Sequence, residues 1–281
     1  MFHGSAGICQ KRTQFQFREG KAFGALGDRM DLLSKKIALV TGASRGTGAA
    51  VARLFAQRGA RVAVHGRDEA ALATVRGEIE RGGGIAIQVV ADVTKYAQIE
   101  AMRRKVEQEL GAIDILVANA GGSFTMPGPI EEINEDGWHA SVDGNLTATF
   151  LTIKSIVPGM KQRRRGTIIT ISSAAGRRPH PQASIPYSAA KAGIQILTQD
   201  VAAQVGPYGI RVNCIAPETI LTERNRQRIP EVQQRAMVAL HPIQRLGTPE
   251  DVAQAALFLV SDESAWITGI VLDVAGGAVM V

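Results

Sequence analysis

Tyr187 and Lys191 stand four residues apart in Tyr187-Ser188-Ala189-Ala190-Lys191, which puts both on one face of a helix. Alone, a tyrosine four residues before a lysine is a common packing pattern. A second group lies far upstream, in Thr41-Gly42-Ala43-Ser44-Arg45-Gly46-Thr47-Gly48. Glycines at that spacing let a backbone turn tightly and approach a pyrophosphate at a helix N-terminus. The chemistry that these two groups suggest together is that of a dinucleotide-dependent enzyme.

The end of the second strand bears on the cofactor. An acid there would hold ribose hydroxyls, whereas an arginine accommodates the extra phosphate of NADP. The chain reads His65-Gly66-Arg67, with Arg45 in the glycine loop as a second candidate partner for that phosphate. This points to NADP(H) rather than NAD(H).

These residues need elements to position them, and the sequence alternates strand and helix patterns from Lys36 onward. Apolar strands are expected at 37–40, 62–64, 85–90, 113–118, 167–171, 211–215 and 270–273. Between them, helical patterns include Ile99 to Leu110, one long helix around Trp138 to Met160, Ala189 to Val205, and Pro249 to Val260. Such alternation predicts an α/β fold, a single doubly wound parallel sheet of Rossmann type with helices on both faces. The glycine loop, Asn119-Ala120-Gly121, Asn145, Ser172-Ser173, Tyr187 and Ala216-Pro217 then converge at the carboxyl ends of the strands, where ligands bind in this architecture.

Composition narrows the function class. The chain has 281 residues, 45% hydrophobic and 5% aromatic, so aliphatic side chains must fill one large core. The formal charge is +6, of which +3 falls in residues 1–29, and no nucleic-acid-binding motif accompanies it. No apolar run reaches the ~18 residues of a membrane helix. Cys9 and Cys214 form no disulfide framework, consistent with a cytoplasmic protein, and the five histidines show no metal-ligand spacing. Residues 1–29 are expected to be a disordered N-terminal extension, their glycines weakening an amphipathic targeting helix, and 30–281 the dinucleotide-binding catalytic domain.

With these motifs assembled, the chain resembles the short-chain dehydrogenase/reductase family from about residue 34 onward, and within it the 3-oxoacyl-(acyl carrier protein) reductases of fatty acid metabolism. The likeness rests on the loop at 41–48, Asp92, Asn119-Ala120-Gly121, Asn145, Ser173 and Tyr187-x-x-x-Lys191. It implies that Tyr187 exchanges a proton with the carbonyl oxygen, and that Ser173 steadies that oxygen with a hydrogen bond. Lys191 is implied to lower the Tyr187 pKa and hold the nicotinamide ribose, and Asn145 to hold a water that relays protons. A Lys⁺ at ~4 Å and an effective dielectric of ~20 contributes ~4 kcal/mol, or ~3 pKa units before desolvation opposes it. The implied cofactor contacts are Gly42, Ser44, Arg45, Gly46, Thr47, Gly48, Arg67, Asp92, Val93, Asn119, Ala120, Gly121, Tyr187, Lys191, Pro217, Ile220 and Thr222. A homotetramer is implied as well.

Two departures stand out. The loop from Ser173 to Tyr187 is one residue longer than in many relatives, and Glu218 replaces the usual glycine after Pro217, which questions the backbone of that turn. Residues 223–246 resemble the family's variable lid and are rich in arginine. With Arg177, Arg178, His180 and Arg163-Arg164-Arg165, they offer a surface for an acidic acyl carrier. The expected substrate is a small or acyl-carrier-bound carbonyl compound, foremost a 3-oxoacyl thioester. The alternatives are an alcohol, sugar or steroid dehydrogenase, and a catalytically silent NADP-binding module.

Overall fold

The computed structural model describes residues 32–280, so the expectations for residues 1–29, Met30 and Cys9 lie outside the described residues. Seven strands form one parallel sheet: β1 (Ile37–Val40), β2 (Arg61–Gly66), β3 (Ile85–Val90), β4 (Ile115–Ala118), β5 (Gly166–Ile171), β6 (Ile210–Pro217) and β7 (Val271–Val274). Their order across the sheet is β3-β2-β1-β4-β5-β6-β7. The doubly wound expectation therefore holds, with the order reversing between β1 and β4. Several strand ends move by a residue or two. Asp114 stands just before β4, where its carboxylate accepts the Ile37 N–H at 3.1 Å and its own amide donates to the Ile37 carbonyl at 2.9 Å, and the last strand runs one residue later than expected.

Helices α1 (Gly46–Gln57), α2 (Glu69–Arg81) and α9 (Pro249–Val260) cover one face of the sheet with Val51, Phe55, Leu72 and Leu259. Helices α3 (Tyr96–Glu109), α5 (Ala148–Arg163) and α6 (Ile185–Val205) cover the other with Ile99, Met102, Met160 and Val205. Strands buried on both faces account for the continuous apolar runs Ile37-Ala38-Leu39-Val40 and Ile115-Leu116-Val117-Ala118. Helix α9 starts at a capping box in which Thr248 and Asp251 satisfy each other's backbone amides, with Pro249 at its first position.

The single helix expected around 138–160 is divided. A π turn over Asp143–Thr147 separates α4 (Glu135–Val142) from α5. The extra residue in that turn re-aims Asn145 toward the end of β4, a common use of such bulges. The lid region folds as two short helices, α7 (Glu223–Arg228) and α8 (Glu231–Ala239). No helix among the described residues is long and apolar enough to cross a membrane.

Candidate active site

A cleft of about 1080 Å³ opens at the carboxyl ends of the strands, where the order reverses. The glycine loop forms one wall. Gly42 takes a positive φ of 65°, and its carbonyl accepts a hydrogen bond from Asn119 Nδ2 at 3.1 Å. Thr41 Oγ1 accepts the amides of Asn119 and Ala120, each at 3.0 Å, which fixes the loop after β4 against the glycine loop. The first turn of α1 carries no side-chain cap and no acid, so its amides are left for an anion. That arrangement fits the pyrophosphate of a nicotinamide dinucleotide.

Most of the expected cofactor contacts line this cleft: Gly42, Ser44, Arg45, Gly46, Thr47, Gly48, Arg67, Asp92, Val93, Asn119, Ala120, Gly121 and Thr222. Pro217 and Ile220 are buried beside it and shape the turn that carries Thr222. Thr222 caps α7 by accepting the Asn225 N–H at 3.2 Å.

Three cleft features escaped the sequence reading. Asp68, one residue past Arg67, forms an ion pair with Arg45 and also caps α2 through the Ala71 N–H. Its signal was its position as the polar residue opening a helical run. Second, His65 is buried behind the loop, and burial lowers its pKa to about 4. Third, Phe124 lines the cleft beside Gly144.

The acid-base group assembles at the next strand. Lys191 is buried, and its Nζ donates to the Ile171 carbonyl at 2.8 Å, tying α6 to the end of β5. Ser172 is excluded from a catalytic part, because its Oγ donates to the Lys191 carbonyl at 2.7 Å and accepts from Gln195 at 2.9 Å. Ser173 is the serine that faces the Tyr187 phenol.

The expected depression of the Tyr187 pKa is not found. Burial pushes the phenol up, the Ser173 hydrogen bond only partly offsets this, and the Glu218 charge pushes it further up. The Lys191 Nζ lies 5.6 Å from the ring centroid and is bound to a carbonyl. Burial lowers its own pKa to about 8. Burial, the largest influence on the phenol, sets the direction of its shift. At neutral pH the phenol keeps its proton.

Asn145 is fully buried against the loop after β4. Its Nδ2 donates to Gly122 and Ser141 carbonyls at 2.9 and 2.8 Å, and its Oδ1 accepts the Gly122 amide at 3.1 Å. The side chain fixes the loop after β4. Gly121 makes this possible, since a Cβ at its φ of 151° would collide with Asn145 Oδ1.

Glu218 does not strain its turn. Among the described residues only Lys35 and Arg164 combine a side chain with positive φ, and the Glu218 amide donates normally to Val274 at 3.2 Å. The substitution acts through its side chain, which accepts from His180 Nε2 at 3.0 Å. Cys214 is a fully buried core thiol whose pKa is raised by burial.

The basic residues expected to greet a carrier are largely occupied. Arg177 forks onto Asp273 at 3.0 to 3.3 Å, and Arg178 donates to the Ala278 carbonyl at 2.9 Å. Arg164 donates to Pro207 at 2.8 Å and lies over the Tyr208 ring. Arg224 reaches the cleft from the lid.

Comparison with known proteins supplies the lineage. The family profile described as Enoyl-(Acyl carrier protein) reductase matches residues 42–279. The 3-oxoacyl-[acyl-carrier-protein] reductase FabG of Chlamydia muridarum is 37% identical over 247 residues, covering 88% of this chain and 98% of the relative. Glucose 1-dehydrogenase 2 of Bacillus subtilis is 36% identical, over 87% of this chain and 95% of the relative. A 3-oxoacyl-[acyl-carrier protein] reductase from Brucella melitensis, solved with bound NAD, superposes with a TM-score of 0.83 at 36% identity, covering 94% of this chain and 98% of that one. The matched profile, the identity to these enzymes and the near-complete coverage make the chain an oxidoreductase acting on CH–OH groups, and it belongs to the short-chain dehydrogenase/reductase family.

Proposed function

We propose that this protein is an NADP(H)-dependent reductase of carbonyl compounds, with 3-oxoacyl thioesters as its substrate class. The observation that carries the reading is the Tyr187 phenol hydrogen-bonded to Ser173 with the Lys191 ammonium 5.6 Å from its ring, in a fold whose glycine loop walls a dinucleotide-sized cleft. The phenol is the proton donor in reduction, and its conjugate base is the acceptor in the reverse direction.

When bound, the cofactor supplies the hydride. The loop from Gly42 to Gly48 and the α1 amides would hold its pyrophosphate, and Arg45 and Arg67 would meet the 2′-phosphate. Tyr187 donates its proton to the carbonyl oxygen as charge develops there. Ser173 donates a hydrogen bond to the same oxygen, an interaction strongest in the transition state. Lys191 steadies the tyrosinate left behind and orients the ribose. Asn145 acts at one remove, by holding the Gly121-Gly122 backbone in place.

The thioester reading is supported by the carrier-protein reductases among the relatives and by the arginines of the lid. A second reading, a dehydrogenase of hydroxylated substrates, is favoured by the buried carboxylate of Glu218 in this region. The discriminating experiment follows NADPH absorbance with an acetoacetyl thioester, simple ketones and an aldose, and repeats each with NADH. Thioester turnover that prefers NADPH and vanishes in Tyr187→Phe supports the first reading; turnover confined to the aldose or ketones overturns it.

Exposed Phe150 on α5 and Ile196 on α6 support a homotetramer paired through these helices. Light scattering on the purified protein tests it.

A further inference from the structure

Past Ser172, whose amide still donates to the Ile215 carbonyl at 2.8 Å, the chain leaves the sheet. Ser173 and the residues after it close one tight helical turn. The Gly176 amide donates to the Ser173 carbonyl and the Arg177 amide to the Ala174 carbonyl, each at 2.9 Å. This turn is seated on α6 at Lys191: a Cβ on Gly176 would stand 2.7 Å from the Ala192 nitrogen and from the Lys191 carbonyl carbon. On its other side Ala174 packs against Ala275 and Val279, which follow β7.

Arg177 ends the turn and fastens it to β7. Its Nε and Nη2 fork onto the two Asp273 carboxylate oxygens, and the two side chains are only 21% and 16% exposed. A bidentate fork fixes orientation as well as distance. The third guanidinium nitrogen, Nη1, donates to Gln195 Oε1 on α6 at 3.5 Å. Gln195 Nε2 in turn donates to Ser172 Oγ, which donates to the Lys191 carbonyl. One run of contacts therefore leads from β7 to the backbone on both sides of the place where Ser173 meets the Tyr187 phenol. Reacting groups tolerate little displacement, and a group held from two sides is displaced least.

We propose that Arg177 and Asp273 are positioning residues of the active centre: their fork holds the turn after Ser173 against α6 and so sets the Ser173 hydroxyl against the Tyr187 phenol. Neither residue touches the reacting atoms; both act through Ser173.

The effect on turnover rests on the reductase reading, but the first readout does not. The full chain is made with 3-fluorotyrosine, and the fluorine resonance of Tyr187 is assigned by its loss in Tyr187→Phe. At neutral pH, Ser173→Ala removes the hydrogen bond to the phenol and displaces that resonance. Asp273→Ala and Arg177→Met open the fork from either side, and each should displace it in the same direction. Neither should move it further in the Ser173→Ala background. Glu107→Gln, which weakens a comparably buried ion pair with Arg103 on α3, should leave it in place. In the kinetic arm, both fork variants should lower kcat roughly 10- to 100-fold, as a small misplacement does, while the KM for NADPH stays within about twofold. A resonance that Ser173→Ala moves and the fork variants leave still would overturn the proposal, and so would fork and serine effects that simply add. A displaced resonance in a protein that turns over no carbonyl compound would instead sink the reductase reading and leave the positioning standing.

Discussion

The imidazole of His65 accepts the Gly42 amide proton on Nδ1, at 3.4 Å, while its Nε2 donates to the Ala91 carbonyl at 3.0 Å. One neutral ring therefore couples the glycine loop to the end of β3. Protonating Nδ1 would set an N–H against an N–H.

This coupling predicts acid sensitivity. Burial lowers the His65 pKa from the ordinary 6.5 to about 4. Between those values the unfolded chain binds a proton that the folded chain refuses, so stability falls as pH drops from 6.5 to 4. The loss from this residue is about 3 kcal/mol. Urea denaturation across that range should show it, and His65→Gln should flatten the slope. An equal slope in the variant would refute the assignment.

Lys191 carries the opposite lesson for stability and function. Burial lowers its pKa from 10.5 to about 8. Below pH 8 its buried charge opposes folding; as pH rises from 8 to 10.5 the unfolded chain holds the extra proton and the opposition fades. Lys191→Met should gain up to about 3 kcal/mol at neutral pH, less the lost bond to Ile171, and the gain should shrink above pH 8. Turnover should be abolished in the same protein. Denaturation curves at several pH values check the first claim and steady-state kinetics the second.

Ser173→Ala should lower kcat by roughly 10²–10³-fold, as loss of an oxyanion donor does. Because the Ser173 hydrogen bond eases the Tyr187 pKa down, its removal should also move the alkaline limb of alcohol oxidation to higher pH. Ser172→Ala should instead act through the packing of α6, without moving that limb.

The ion pair between Arg45 and Asp68 ties up one of two guanidiniums available to a 2′-phosphate. Asp68→Asn keeps a cap for α2 and frees Arg45. The ratio of kcat/KM for NADPH over NADH should rise several-fold, and Arg45→Ala should reverse the gain. An unchanged ratio would place the discrimination at Arg67 alone.

Some of this architecture was legible in advance and some was not, for physical reasons. Strands such as Ile37-Ala38-Leu39-Val40 announce themselves because both faces are covered by helices. The motif residues lie at strand ends, which topology alone brings together. The π turn at Asp143–Thr147 was hidden because its residues suit a helix equally well. Helix α7, Glu-Arg-Asn-Arg-Gln-Arg, carries no apolar stripe to betray it. The direction of the Tyr187 pKa depended on how deeply the phenol is buried, which spacing along a helix does not contain.

The fork between Arg177 and Asp273 has a consequence for the order in which the protein is made. The loop leading to Tyr187 is held by residues that follow its own arginines by 96 and 100 positions, Asp273 and the Ala278 carbonyl. A ribosome that has already released the whole glycine loop and the Tyr187 helix has yet to supply the clasp for that loop. The loop that leads to Tyr187 is therefore clasped only when the last residues of the described chain are in place.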